Sequence, residues 1–252
     1  ANWADGRDIS FPDFYAKLRN GSMSVTSQVN VTQFLEPFRS TLQQGKDILY
    51  IGFSSGLSGT VNSGRLAAEE LAGEFPEAKI LVVDTLAASL GQGLLVYHAV
   101  QKKREGASIE EAAQWLESNK LNLAHWFTVD DLNFLKRGGR VSGAAAMFGT
   151  MLNIKPVMHV DNAGKLIPVE KVRGRRQSLD ALVDHMEKTA ILPEEQMVFI
   201  SHGDSREDAE YVAHEVKNRL GVSEVFLNYV GPVIGSHSGP GTMALFFLAT
   251  ER

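Results

Sequence analysis

Hydrophobic positions along the chain fall into short, nearly unbroken runs, separated by stretches in which they recur every three or four residues. The run Asp47-Ile-Leu-Tyr-Ile-Gly-Phe53 is of the kind a strand shows when a parallel sheet is covered on both faces. It ends in Ser54-Ser-Gly-Leu-Ser-Gly-Thr60, after which helical spacing continues to Leu71. A second run, Lys79-Ile-Leu-Val-Val-Asp84, leads through Ser89-Leu-Gly-Gln-Gly93 into a helix that reaches Arg104. The unit is strand, Gly/Ser loop and helix, twice over. A capping box, Ser108-Ile-Glu-Glu111, opens a helix over 108–119, and a third buried strand is predicted over 123–129. This alternation predicts a parallel, helix-covered sheet.

Two helices precede these units. One runs over 10–20, with Ser10 as cap and Pro12 in the first turn; the other runs over 30–44, ends at Gly45, and is expected to kink or break at Pro37. Past residue 153 the pattern changes, because runs at 154–160 and 165–172 flank Asp161-Asn-Ala-Gly164, the mark of an antiparallel hairpin. A helix over 177–189, a strand over 197–202, a helix over 206–220 and strands over 222–229 and 243–249 complete the series. The expected fold class is α/β with two domains. An N-terminal parallel sheet covered by helices occupies 1–153, and a C-terminal mixed α/β domain with the hairpin occupies 154–252.

Composition narrows the chemistry. With 252 residues, 44% hydrophobic and 22% charged, the chain can bury a large core. It contains no cysteine, which removes disulfides, thiolate metal sites and cysteine nucleophiles. A net charge of -5 supplies no overall field to gather nucleic acid. No apolar run approaches the ~20 residues that cross a bilayer, and the opening Ala-Asn-Trp-Ala-Asp-Gly-Arg-Asp lacks the features of a signal peptide, so a cytoplasmic chain without membrane insertion is expected. The seven histidines show no metal-ligand spacing, so neither a metal nor a cofactor is expected.

The Gly/Ser loop 54–60 is the richest local feature. Hydroxyls and backbone amides converge there at a helix start, where an anion is at home, although caps and a tight turn would use the same residues. The stretch also satisfies Gly-x-Ser-x-Gly as Gly52-Phe-Ser54-Ser-Gly56 in a strand-to-helix setting. With Asp84 and His237 that order permits a serine hydrolase, which is the alternative function. Thr26-Ser27-Gln28 is a second hydroxyl cluster before a helix. Arg137-Gly-Gly-Arg140 reads either as an anion contact or as a helix stop with cations at its end. Gly235-Ser-His237-Ser-Gly-Pro-Gly241 places a histidine among glycines and hydroxyls. The stretch Ala144-Ala-Ala-Met-Phe-Gly-Thr-Met-Leu152 suits either ordinary core or the wall of a tunnel for a long, loose chain, with Met147, Phe148, Met151 and Leu152 as lining.

Taken in order, Asp5-Gly6-x-Asp8-Ile9, Thr26-Ser27-Gln28, Ser54-Ser-Gly-Leu-Ser-Gly-Thr60, Leu135-Lys-Arg-Gly-Gly-Arg140, Leu152-Asn-Ile-Lys-Pro156, Val172-Arg-Gly174 and Gly235-x-His237-x-Gly-Pro-Gly241 resemble the DegV family of bacterial lipid-binding proteins, which includes the fatty-acid-binding subunits of fatty acid kinase. The resemblance implies a carrier, not an enzyme, that holds one long-chain fatty acid in a buried tunnel and presents its carboxylate to a kinase partner. It places the carboxylate on Thr26 and Ser58, with Ser27, Ser55 and Gly59 as neighbours, and assigns Arg173 and His237 to the head group or its phosphate. Family members begin with a strand carrying Val-Thr-Asp-Ser, a motif this sequence does not contain. The resemblance therefore implies a parallel sheet without that first strand, and a natural start that is not residue 1.

Overall fold

The computed structural model describes residues 4, 6–141 and 153–252. Strands β1 (Ile48–Gly52) and β2 (Ile80–Asp84) pair in parallel, from Ile48 opposite Ile80 to Gly52 opposite Asp84. They are joined by α3 (Thr60–Glu74). Helix α2 (Val31–Leu42) lays Phe34, Phe38 and Leu42 onto Ala67, Ala68 and Leu71 of α3, an apolar stripe at helical spacing. Its start is fixed by a capping box between Asn30 and Gln33. The interruption expected at Pro37 does not occur, and α2 is continuous through it. Pro37 is exposed, so the carbonyl it leaves without an amide partner is open to water.

The second sheet has six strands in the order β5 (Leu166–Arg173), β4 (Ile154–Val160), β3 (Leu123–Thr128), β8 (Met243–Leu248), β6 (Met197–His202) and β7 (Glu224–Tyr229). The sequence-based placement of 123–129 as a third parallel strand is corrected here. β3 runs antiparallel to both β4 and β8 at the centre of the larger sheet. All six of its residues are buried, and a strand covered on both faces carries the same unbroken apolar signature whatever the direction of its neighbours. The change of sheet thus falls between β2 and β3, ahead of the expected 153/154 division. The predicted hairpin is present, with β4 antiparallel to β5 and a bulge between Val157 and Met158.

Cross-strand alternation sends Ala124, Trp126, Val198, Ile200, Leu245 and Phe247 to one face. There α7 (Arg175–Thr189) and α8 (Arg206–Leu220) cover them with Leu179, Leu182, Met186, Val212 and Val216. Phe127, Phe199, Ala244 and Phe246 point the other way, toward Leu94, Leu95 and Ala99 of α4 (Ser89–Arg104) and Leu116 of α5 (Ile109–Asn119). Each fully buried large side chain contributes about 1.5–3 kcal/mol.

Among the described residues, two contacts at the loops help to tie the sheets together. The Arg252 guanidinium donates to the carbonyls of Leu86 (2.7 Å) and Thr85 (3.3 Å) beyond β2, and to those of Leu123 (3.1 Å) and Asp161 (3.3 Å) on the larger sheet. The tip of the β4–β5 hairpin rests on the Gly/Ser loop, where Ser54 Oγ donates to the Gly164 carbonyl at 2.7 Å. A Cβ at Gly56 would lie 2.5 Å from the Ala163 carbonyl oxygen, so the approach of the hairpin requires glycine there. The stretch around His237 is not the glycine loop that the sequence suggests, because His237 lies in the last turn of α9 (Pro232–Ser238). Helix α1 (Phe11–Arg19) packs beside it, and Tyr15 Oη donates to the Val230 carbonyl at 2.7 Å.

Candidate ligand site

Where the carboxyl ends of β1 and β2 meet the inner face of the larger sheet, the described residues enclose a cavity of about 810 Å³. Ligands of open α/β sheets bind outside these strand ends, and the volume lies in the range of small-molecule pockets. One end is polar, with Thr26 and Ser27 from the extended segment between α1 and α2, Ser55, Ser58 and Gly59 from the Gly/Ser loop, His237 from α9, and Arg140 beyond α6 (Asn133–Arg137). Phe127, Leu135, Leu166, Val230 and Ile234 supply apolar wall.

Side chains far apart in sequence meet at the polar end. Thr26 Oγ1 lies 2.7 Å from His237 Nε2, and beside it Ser24 Oγ donates to Ser236 Oγ at 2.8 Å. The imidazole is fixed from behind, since a Cβ at Gly138 would come within 2.2 Å of its Nδ1. Burial, with the Arg140 charge second, lowers the His237 pKa below its ordinary value, which favours the neutral ring. Ser58 Oγ accepts the Thr60 amide at 3.2 Å and lies 3.0 Å from Thr60 Oγ1. Gly59, the N-cap of α3, brings no side chain to the first-turn amides, and these carry partial positive charge. The Arg140 guanidinium donates to the carbonyls of Leu57 and Gly138 and has no carboxylate partner among the described residues. No Asp or Glu is among the described residues lining the cavity. Neutral hydroxyls, a neutral imidazole, a helix start and one guanidinium are groups able to meet an anionic head group, and the wall beside them is suited to an apolar body.

Thr26, Ser27, Ser55, Ser58, Gly59 and His237 are thus brought to one cavity. Arg173 is not: it is exposed at the end of β5, opposite Ile154. Met147, Phe148, Met151 and Leu152 lie outside the described residues. Sequence reasoning left Arg140 between two readings, and only the fold shows it at the cavity. Gln28, whose Oε1 lies 2.5 Å from where a Cβ of Gly59 would be, stands out in the sequence only as part of the Thr26-Ser27-Gln28 motif.

The geometry of Ser54 does not support the hydrolase alternative. Its side chain is fully buried, its hydroxyl is donated to Gly164, and it accepts the Gly56 amide at 3.1 Å. Asp84 Oδ1 accepts the amides of Ser55 and Leu86, while His237 faces Thr26. A nucleophile needs a base within hydrogen-bond reach and a path for substrate. Ser54 is therefore expected to stay unlabelled by a fluorophosphonate probe; stoichiometric adduct at Ser54 in a peptide map would revive the alternative.

No group of three or more His, Cys, Asp or Glu that could hold a metal occurs among the described residues, and none of their helices is long and apolar enough to cross a membrane. A family model described as an uncharacterised protein of the DegV family matches residues 1–250. A DegV domain-containing protein of Clostridium perfringens is 51% identical over 239 residues, covering 95% of this chain and 82% of its own. A solved structure described as fatty acid binding of a DegV family protein from Thermus thermophilus is 32% identical with a TM-score of 0.87, covering 99% of this chain and 88% of its own. The Streptococcus pneumoniae Fatty Acid Kinase B3 protein loaded with linoleic acid shares the fold at a TM-score of 0.85 and 18% identity, covering 96% of this chain and 84% of its own.

Proposed function

The chain belongs to the DegV family, and on that premise we propose that it is a fatty-acid carrier. It holds one long-chain fatty acid with the carboxylate on Thr26, Ser58 and Arg140 and the acyl chain against the apolar wall. The observation that carries this reading is the polarity of the cavity, whose only lysine or arginine side chain, among the described lining residues, stands beside the hydroxyls while much of the remaining wall is apolar. Burying each CH₂ is worth about 0.8 kcal/mol, so the tail supplies most of the affinity and the polar end sets its direction. The relative from Thermus thermophilus, described as binding fatty acid, supports the same class of ligand.

The carrier has no chemistry of its own in this proposal and acts in the cytoplasm. It presents the carboxylate to a fatty acid kinase, the assembly named for the Streptococcus pneumoniae neighbour. Thr26 is half-buried and Ser27 exposed, so the head group sits near the mouth, within reach of a partner. His237 would meet the acyl phosphate inside the site, and the exposed Arg173 would meet it, or the partner, from outside.

Organic extraction of the purified protein followed by mass spectrometry is expected to yield about one equivalent of fatty acid. In the double variant Thr26→Ala with Ser58→Ala, affinity for added fatty acid is expected to fall roughly tenfold, the loss of two modest hydrogen bonds. Repeated preparations without lipid and without uptake of added fatty acid would overturn the proposal.

A further inference from the structure

Outside Thr26, Ser58, His237 and Arg140, the cavity wall is not the plain apolar sleeve that a hydrocarbon tail requires. Strand register places Phe127, Ala244 and Ser201 in one row across β3, β8 and β6, and His125, Phe246 and Phe199 in the next, all on the face toward α4. His125 and Ser201 both line the cavity. Ser201 is fully buried and His125 is 4% exposed. Ser201 Oγ lies 3.0 Å from Ser89 Oγ, and Ser89, the first residue of α4, lines the same space in a left-handed conformation at φ 53°. The N-cap of α4, Ala88, offers its first turn no side-chain acceptor.

His125 Nδ1 is buried with no hydrogen-bond partner among the described residues. Its ring sits 4.6 Å from that of Phe246 and 5.6 Å from that of Phe127, aromatic neighbours that offer it no conventional hydrogen bond. A polar group buried without a partner is costly. Two hydroxyls bonded to each other still leave one O–H to donate and lone pairs to accept, and a neutral imidazole brings one donor and one acceptor. Burial holds His125 well below its ordinary pKa, so the ring presents that neutral pair. His125 lies three residues along β3 from Thr128, the position paired with Met243 beside the cavity-lining Thr242. At about 3.4 Å per residue His125 is set about 10 Å beyond that row, and Ser201, one residue from the His202 that pairs with the same Met243, about 3 Å beyond it.

We infer that Ser89, Ser201 and His125 form a specificity site for an acyl chain that carries a neutral oxygen, a hydroxyl or oxo group, partway along its length. The inference rests on the fatty-acid reading of the same cavity and names the class of chain within it. The test is equilibrium binding by the delipidated full chain of stearic acid and of hydroxystearic acids that differ only in the carbon bearing the hydroxyl. One positional isomer is expected to bind about tenfold more tightly than the other isomers and no more weakly than stearic acid. Ser201→Ala, and separately His125→Phe, are expected to bring the preferred isomer down to the affinity of the other isomers. Ser201→Ala, which removes a single oxygen, decides the matter if the larger change at His125 disturbs packing against Phe246. Stearic acid bound more tightly than every isomer, or both ligands weakened alike in Ser201→Ala, overturns the specificity site alone. Failure of the wild type to bind any of these acids overturns the fatty-acid reading itself and the site with it.

Discussion

Unfolding free energy is expected to drop by about 2 kcal/mol or more between pH ~7 and pH ~5, in a range where ordinary carboxylates have barely begun to titrate. The cause is buried histidine. The His159 pKa is lowered from 6.5 to about 4, first by burial and then by the Arg252 charge; the ring lies against Trp126 at 4.4 Å. His125, His202 and His98 are also held below their ordinary values, in each case chiefly by burial. The unfolded chain therefore takes up protons that the folded chain refuses, so stability rises with pH across this window. The contribution of His159 is complete above about 6.5 and is lost as the pH falls through about 4; over the full window it amounts to about 3 kcal/mol at roughly 1.4 kcal/mol per pKa unit. Against a typical total of about 5–15 kcal/mol that is a large share. Urea titrations at successive pH values would show it as a falling midpoint, and His159→Phe should remove about 2 kcal/mol of the loss at pH ~5. An unfolding free energy that stays level from pH ~7 to ~5 would refute the assignment.

What the sequence revealed and what it hid divide along a physical line. The two strand–loop–helix units, the Ser108–Glu111 capping box and the β4–β5 hairpin rest on local period, caps and turn residues, and all are present. The direction of β3 is decided by which strands lie beside it, Met158 and Ala244 flanking Phe127 on its two sides, and nothing local encodes that choice. Helix α9 was hidden because seven residues containing Gly235 make a poor helix in isolation. It is held by packing: a Cβ at Gly235 would meet Tyr15 Oη at 2.6 Å. The hydroxyl clusters were visible as clusters, but Thr26 and His237, separated by 211 positions, meet only through the fold. The Gly-x-Ser-x-Gly pattern misled for the converse reason. Ser54 and Gly56 are spent on receiving the hairpin tip, a demand that cannot be read from five residues. Arg140 lay in plain view beside two glycines, and what was missing was knowledge of what it faces.

Replacing Arg140 with leucine is expected to weaken fatty-acid binding by roughly ten- to a hundredfold, the range of about 1.5–3 kcal/mol for a hydrogen bond to a charged group. The guanidinium lines the cavity beside Thr26, Ser58 and His237, and among the described residues no carboxylate competes for it. Much of the remaining wall is apolar, so a carboxylate brought there without a cation would lose hydration for little return. In the proposed complex the hydroxyls provide direction, whereas the cation offsets the charge. Two checks separate this role from a merely structural one, since Arg140 also donates to the Leu57 and Gly138 carbonyls. The methyl ester of the same fatty acid, which has no charge, should bind wild type and Arg140→Leu within about twofold of each other, because only the ionised head group uses the guanidinium. Arg140→Lys should recover part of the affinity for the free acid, since it restores the charge but not the planar fork. Equal loss for acid and ester would mean that Arg140 shapes the loop, and the carboxylate would then be held by Thr26, Ser58 and the α3 amides without it.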